Sequence, residues 1–287
     1  MRLLVSVVSG EEARHAISGG ADIVDVKDPH EGALGAPAPG VLSDVVRIVG
    51  SAAPVSVALG DLPDLPHTAA LAARGAALSG AAYVKVGLRG VRDLERAVTM
   101  MSAVADAVRA DGVAVVAAAY ADAAALDPPA LSPASLPELV ARTGIAAALV
   151  DTFTKDGRGL YGWVSEEELA ELIDRTRSAG AIFAVAGQLR PGELCRVPAD
   201  VVGVRSAVCR TGDRASDLQA ELVAAAVAEL RAGSGGQSGT ISVPDSGAAP
   251  GWRTVTATPV RRTASATALI IVTARSRSRT PRNPTFT

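Results

Sequence analysis

The sequence predicts a (β/α)8 barrel, the TIM-barrel arrangement of an α/β protein, followed by a C-terminal tail that we expect to be disordered. Eight short apolar runs rich in Val and Ala recur along residues 1–232. Each run is followed by a longer amphipathic or loop-like stretch. Continuous apolar runs are typical of strands covered on both faces, and eight strand–helix units in this length favour closure into a barrel.

The predicted elements follow one another in a regular order. The strands are expected at residues 3–8, 21–27, 54–59, 82–87, 113–119, 146–151, 182–187 and 200–205. The helices are expected at residues 11–20, 41–50, 67–79, 92–110, 136–143, 165–179 and 216–231, with a helix or helical loop after the seventh strand. An open, doubly wound sheet is the alternative, but no GxGxxG sequence follows the first strand, which disfavours it.

The composition changes after Ala232, so we predict a catalytic barrel domain over residues 1–232 and a low-complexity basic tail over 233–287. The tail carries seven Arg and one acidic residue, Asp245, and therefore a charge of +6. The net charge of −2 then leaves −8 for the barrel. A barrel this acidic, in a chain with only 3% aromatic residues, is not expected to bind nucleic acid.

The sequence carries no signal for a membrane, a metal or a cofactor. No apolar stretch reaches the roughly 18 residues of a membrane span, and the apolar run at 3–8 is too short for a signal peptide. We therefore expect a cytoplasmic protein. Cys195, Cys209 and the three histidines lack metal-ligand spacing, so we expect neither a metal nor a cofactor. The sequence does not decide between a monomer and a homo-oligomer.

The chain has only three lysines among its 28 basic residues, and they fall at positions typical of an active site. Lys27 ends the second predicted strand, Lys85 lies near the end of the fourth, and Lys155 follows the sixth. Active sites of such barrels form at the carboxyl ends of the strands. A lysine amine can lose its proton and attack a carbonyl, whereas arginine stays charged. Three unrelated salt bridges at the barrel rim are the alternative interpretation.

Alternation along the strands predicts which of these side chains point into the barrel. Val24 and Val26 suit the helix-covered face, which turns Asp25 and Lys27 inward, and the same argument turns Lys85 inward. Together with Asp151 at the end of the sixth strand, these groups are expected to share one pocket. Burial and a neighbouring cation would lower the pKa of Lys27, and Asp25 or Asp151 could transfer protons.

A phosphate site is expected after the seventh and eighth strands, its usual place in such barrels. Gly187 and Gly212 would let backbone N–H groups approach an anion, while Arg205, Arg210 and Arg214 would supply charge. The alternative is that Asp213 and Arg214 only pin the last helix.

Two further carboxylates, Asp61 and Asp122, follow the third and fifth strands. Each is interpreted equally well as an acid at the catalytic rim or as a helix N-cap, and at the rim Asp122 is expected to contact the substrate. Tyr120 is expected either to donate a proton or to close the top of the barrel.

Five segments together resemble the (5-formylfuran-3-yl)methyl phosphate synthase family, also called 4-(hydroxymethyl)-2-furancarboxaldehyde-phosphate synthase. They read ADIVDVKDPHEGALGA, SGAAYVKVGLRG, AAAYADA, LVDTFTKDGRGL and VVGVRSAVCRTGDR. The resemblance spans roughly residues 1–231, in order, and does not extend into the tail. Two loops depart from the family pattern, SAVCRTGDR at the phosphate loop and GQLR after the seventh strand.

The resemblance implies an enzyme that condenses two glyceraldehyde 3-phosphate molecules into a furan aldehyde phosphate for methanofuran-type cofactor synthesis. It further implies that Lys27 forms a Schiff base and that four other positions complete the site, namely Asp25, Lys85, Asp151 and Lys155. Two other functions remain open: a class I aldolase acting on another sugar phosphate, and a non-catalytic barrel that binds sugar phosphates. In all three cases the partner is a small phosphorylated sugar.

Overall fold

The computed structural model describes residues 1–233, 241–244 and 252–255. Its first eight strands are all parallel and close into a barrel in chain order, with β8 pairing back onto β1. The barrel strands are β1 Arg2–Val7, β2 Ile23–Val26, β3 Val55–Pro63, β4 Tyr83–Gly90, β5 Ala114–Tyr120, β6 Ala147–Asp151, β7 Ile182–Val185 and β8 Val201–Val204. The predicted barrel is confirmed.

Seven α-helices cover the outside of the barrel in the described part of the chain. They are α1 Gly10–Ser18, α2 Pro39–Val49, α3 Pro66–Leu78, α4 Leu94–Val108, α5 Leu136–Thr143, α6 Glu166–Ser178 and α7 Ala220–Gly233. Short 3₁₀ turns lie at Arg109–Asp111, Ala123–Ala125, Pro133–Ser135, Leu160–Gly162 and Ser206–Val208. The segment between β7 and β8 contains turns and two prolines, Pro191 and Pro198, and no helix. The repeat is therefore incomplete at that position.

Two strands run further than predicted. β3 continues to Pro63 and β4 to Gly90, and their pairing shifts register between Ala58 and Asp61. Such an irregularity bends a strand and redirects its side chains. As a result Asp61 pairs in register with Gly87 and belongs to the sheet, not to a connecting loop.

The apolar residues form two layers, one on each side of the sheet. Val24 and Val26 pack with the helices in the outer layer, whereas Ile23 belongs to the cluster inside the barrel. The inner cluster fills the barrel mainly with small and branched side chains, including Val116, Ala118, Ala147, Leu149, Ala184 and Val201. The predicted facing of β2 is confirmed, and the inner cluster forms an apolar floor beneath the polar groups at the carboxyl ends of the strands.

The tail contributes two described segments, the antiparallel strands β9 Ile241–Pro244 and β10 Trp252–Val255. Contacts divide the chain into two units, Met1–Ser238 and Gly239–Thr287. The other tail residues for which we expect disorder lie outside the described residues. None of the helices in the described ranges has the length and apolar character that crossing a membrane requires.

Candidate active site

A cavity of about 160 Å³ opens at the carboxyl ends of the barrel strands. Its walls come from the ends of β1, β2, β6 and β8 and from the loops after β6, β7 and β8. The lining includes Lys27, Asp151, Lys155, Gly187, Gly212 and Arg214. Within the described residues, no group of three His, Cys, Asp or Glu side chains is arranged to hold a metal ion.

Lys27 stands directly after β2, where its backbone N–H donates to Val7 O at 3.1 Å. The side chain is only 7% exposed and lines the cavity. Its Nζ makes no hydrogen bond or ion pair with any residue that the structure describes. Burial is the main cause that lowers the pKa of Lys27, to about 8, while Asp151 opposes the shift and Lys85 adds to it. With this pKa, roughly a tenth of the Lys27 amines are neutral at pH 7.

Lys85 and Asp25 form a buried ion pair beside this amine. Lys85 Nζ donates to Asp25 Oδ2 at 2.6 Å, and Ser6 Oγ donates to the same oxygen at 3.0 Å. Both ionic side chains are 5% exposed or less, and Asp25 Oδ1 has no hydrogen-bond donor among the described residues. Neither residue lines the cavity itself, so the pair acts on Lys27 through its charges.

Asp151 and Lys155 form a second ion pair, which faces the cavity. Lys155 Nζ donates to Asp151 Oδ1 at 3.0 Å and to Thr152 Oγ1 at 3.1 Å. Burial alone would raise the pKa of Asp151, but the positive charges of Lys155 and Lys27 outweigh it and the pKa is lowered. Asp151 is therefore held as a carboxylate between two lysines.

The loops after β7 and β8 place backbone groups against the cavity. Gly187 has φ +115°, and a Cβ there would lie 2.9 Å from Thr152 Cγ2, so both conformation and space require glycine. The next residue, Gln188, holds φ +50° without being glycine, and its side-chain oxygen accepts from Gly157 N at 3.3 Å. This bond ties the β7 loop to the loop that carries Lys155.

Arg214 presents an unpartnered nitrogen near these loops. Its guanidinium is half-buried, and Nη2 has no hydrogen-bond acceptor within the described ranges. Burial lowers the pKa of Arg214 below its usual value. Such a group is suited to an anionic ligand, which would supply the missing acceptor.

With this geometry in view, comparison with known proteins identifies the family. The family model described as 4-HFC-P synthase matches residues 3–227. The chain belongs to this family. As a member of the 4-HFC-P synthase family, it is an enzyme.

Several curated relatives carry the name (5-formylfuran-3-yl)methyl phosphate synthase. The protein of Methanosarcina mazei is 41% identical over 81% of this chain and 100% of its own length. The Methanopyrus kandleri protein is 44% identical over 74% of this chain and 91% of its own. The Methanocaldococcus jannaschii protein is 43% identical over 75% of this chain and 92% of its own.

Solved structures of other enzymes share the fold at low sequence identity. A dihydrodipicolinate synthase from Bacillus anthracis superposes with a TM-score of 0.55 at 15% identity, covering 81% of this chain and 76% of that one. One from Acinetobacter baumannii also gives 0.55, at 13% identity, over 79% and 76% of the two chains. Identities this low speak for the fold alone.

Three residues expected to bind substrate or phosphate, Arg205, Arg210 and Asp122, have protein partners in this synthase-family chain. Arg205 lines the cavity, but its guanidinium is held by Glu12, by Ser6 O at 3.1 Å and by Arg214 O at 2.9 Å. Arg210 is exposed, pairs with Asp217 at 3.1 Å and lies off the cavity wall.

Asp122 is also away from the cavity wall. It is buried, and its two oxygens accept from Phe153 N and Thr154 N, both at 2.8 Å. It thereby fixes the loop after β6. Asp122 makes no N-cap hydrogen bond to the 3₁₀ turn that follows it, so the capping alternative does not hold for this residue.

Sequence reasoning did not single out Ser6 or Glu12. Ser6 supports Asp25, and Glu12 neutralises Arg205 while accepting from Val8 N at 2.8 Å. Glu12 carries the same signal as any acidic residue in the first turn of a helix, so its pairing with a residue 193 positions away could not be predicted.

Proposed function

We propose that this enzyme condenses two glyceraldehyde 3-phosphate molecules into (5-formylfuran-3-yl)methyl phosphate, with release of one inorganic phosphate and two waters. The proposal rests on family membership and, above all, on the Nζ of Lys27, which lies at the cavity and has no hydrogen-bond or ion-pair partner among the described residues. Two relatives that carry this name match 81% and 74% of this chain.

The carbon skeleton of the product dictates the order of bonds. The ring carbon that bears the CH2O-phosphate arm must come from the carbonyl carbon of a ketone, so one triose phosphate is first isomerised to dihydroxyacetone phosphate. One of its two ring neighbours is C1 of the same triose. The other comes from C3 of the second triose, the carbon that had carried phosphate. The first triose therefore needs activation at its ketone, and the second must lose its phosphate.

Lys27 is suited to activate the ketone as a Schiff base. Only the neutral amine attacks a carbonyl, and the pKa of about 8 gives Lys27 a much larger neutral fraction than an exposed lysine has. The other two lysines are engaged with Asp25 and Asp151. The iminium then serves as electron sink for isomerisation and for the new carbon–carbon bond.

The surrounding ion pairs supply proton transfer. Asp151 and Lys155 reach the cavity and can exchange protons with the bound triose and with the leaving water. Asp25 and Lys85 lie behind Lys27, and we assign them the electrostatic tuning of its amine.

The loops after β7 and β8 are assigned to the phosphate of the Schiff-base-bound triose. Gly187 and Gly212 allow close backbone approach, and Arg214 supplies an unpartnered charge. Arg205 contributes by fixing this loop, and Arg210 is the weakest candidate because it is turned to solvent.

The deciding experiment is incubation of the protein with glyceraldehyde 3-phosphate alone. We expect a furan-aldehyde absorbance that rises together with inorganic phosphate. Borohydride added with triose phosphate should leave a covalent adduct on Lys27, which Lys27→Arg abolishes while Lys155→Arg retains it. A condensation product without phosphate release would indicate an aldolase, and binding with neither adduct nor product would indicate a non-catalytic barrel.

A further inference from the structure

Asp61 and Tyr120 form a carboxylate–phenol pair at the carboxyl end of the barrel, outside the cavity described above. The Tyr120 hydroxyl donates to Asp61 Oδ1, and Leu34 N lies 3.4 Å from Oδ2. Tyr120 is fully buried, whereas Asp61 is partly exposed at the end of β3. Asp61 lies five residues before α3, whose N-cap is Leu65, so it does not cap that helix.

The surrounding backbone is shaped to make room for this pair. A Cβ on Gly87 would lie 2.2 Å from Asp61 Oδ1 and 2.9 Å from the Tyr120 hydroxyl. A Cβ on Gly32, whose φ is +131°, would lie 3.2 Å from Asp61 Oδ2. Glycine at these two positions therefore leaves room for the two carboxylate oxygens.

The pair occupies the part of the barrel mouth opposite the proposed phosphate loops. Asp61 is in register with Gly87, which lies two residues beyond Lys85 on the inner face of β4. Tyr120 is in register with Asp151 on β6. The cavity is lined by the ends of β1, β2, β6 and β8 and by the loops after β6, β7 and β8, whereas the pair lies on β3 and β5, and we assign the second triose to this side.

We propose that Asp61 is a further catalytic residue, the base that removes the C2 proton of the second glyceraldehyde 3-phosphate, and that Tyr120 is its positioning residue. This deepens the proposed function and rests on it. The C2–H electron pair forms an enediolate with the aldehyde, the enediolate expels phosphate from C3, and the C1 carbonyl returns. The proton stays on Asp61, and the product, 2-hydroxypropenal, has a nucleophilic C3 that faces the iminium on Lys27.

The charges around Asp61 are compatible with a base. Burial raises the pKa of Asp61, the hydrogen bonds from Tyr120 and Leu34 lower it, and the charges of Asp151 and Lys155 act in opposite directions. The carboxylate is thus a stronger base than an exposed aspartate, and Tyr120 stabilises its charged form.

The test separates the two half-reactions in the variant Asp61→Asn. We expect it to retain the borohydride adduct of dihydroxyacetone phosphate on Lys27, and to release phosphate from glyceraldehyde 3-phosphate at least about 100-fold more slowly than the wild type. Asp64→Asn is the matched control, because Asp64 lies on the same segment but pairs with Arg96. The control should release phosphate at the wild-type rate.

The pH dependence of phosphate release in Tyr120→Phe gives a second test, because a purely structural role of Tyr120 would leave it unchanged. The base must be deprotonated, so phosphate release is lost as the pH falls through the pKa of Asp61. Because the Tyr120 hydrogen bond lowers this pKa, its removal should move the acidic limb to higher pH.

Phosphate release by Asp61→Asn within about threefold of wild type overturns the proposal, as does loss of the Lys27 adduct together with phosphate release. An unmoved acidic limb in Tyr120→Phe also contradicts it. If the proposed function itself is wrong, the wild-type protein will form neither the furan nor the Lys27 adduct. This outcome is distinct from a result seen only in Asp61→Asn.

Discussion

The three lysines differ in their electrostatic surroundings, although all three lie at one end of the barrel. Lys155 pairs with Asp151 at the cavity wall, and Lys85 pairs with Asp25 away from it. Lys27 makes no ion pair with any described residue and experiences the charges of both pairs. A buried lysine without a partner is unfavourable in its charged form. The same lack of a partner that costs stability leaves the amine of Lys27 available for covalent chemistry.

Replacing Lys85 by Met should affect both stability and the pH profile. The change strands the Asp25 carboxylate in a buried site with only Ser6 as donor, at a cost of about 3–5 kcal/mol in urea unfolding. The positive charge of Lys85 helps to lower the pKa of Lys27. Without it, the amount of adduct that borohydride traps on Lys27 should begin to rise at a higher pH than in the wild type.

The exposed pair of Arg109 and Asp106 provides the comparison for this variant. Arg109→Met should cost less than about 1 kcal/mol, because exposed ion pairs contribute little. Equal losses in the two variants would argue that Lys85 and Asp25 are not a buried pair in solution.

Substitution of Arg214 by Gln should weaken substrate binding and leave stability nearly unchanged. A charge-assisted hydrogen bond to phosphate contributes about 1.5–3 kcal/mol, so KM for triose phosphate should rise by roughly 10- to 100-fold. Nη2 has no protein acceptor to lose among the described residues, so thermal unfolding should shift little. Arg210→Gln should raise KM far less, since the Arg210 side chain is exposed to solvent. An equal rise in KM would indicate that Arg210 also contacts the phosphate.

At the scale of elements, the pairing of β3 with β4 near Asp61 leaves no room for a side chain at Gly87. Gly87→Ala should cost about 1–3 kcal/mol of unfolding free energy, because the new methyl group collides with Asp61 and Tyr120. Gly75→Ala on α3 is the matched control, since nothing lies within 4 Å of its Cβ position. An exposed helix interior gains about 0.5–1 kcal/mol from this change, so the two variants should differ in sign. Similar effects in both would show that the space around Gly87 can relax.

The sequence was sufficient for the order of elements and for the facing of the strands, because apolar runs and alternation are local signals. Lys27, Asp151 and Lys155 line the cavity at the strand ends that these local signals indicate, whereas Asp25 and Lys85 do not line it. The pairing of Arg205 with Glu12 and the register shift that brings Asp61 to Gly87 depend on contacts between distant segments. No local pattern encodes such contacts, and this is why Arg205 could be read as a free phosphate ligand.

At the scale of the molecule, the barrel separates a stable scaffold from a reactive rim. The inner apolar cluster and the outer helix layer lie below the polar groups, while the reactive groups sit where the strands end. Burying several charges together at the rim is unfavourable, and the surrounding closed sheet supplies the rigidity that keeps them in place. The missing helix between β7 and β8 occurs beside the cavity, where a turn-rich segment leaves the backbone of Gly187 and Gln188 free to line the site.

The barrel should therefore fold and function without the tail. The family match ends at residue 227, and α7 completes the outer layer through Val223, Val227 and Leu230. A chain that ends at Ser238, the boundary of the first unit, should unfold within about 0.5 kcal/mol of the full chain and retain its kcat/KM for furan formation. A chain that ends before α7, at Gln219, should lose several kcal/mol, because each buried Val or Leu contributes about 1.5–3 kcal/mol. Calorimetry and the furan assay on the three chains measure this, and a large loss in the Ser238 chain would place part of the catalytic domain in residues 239–287.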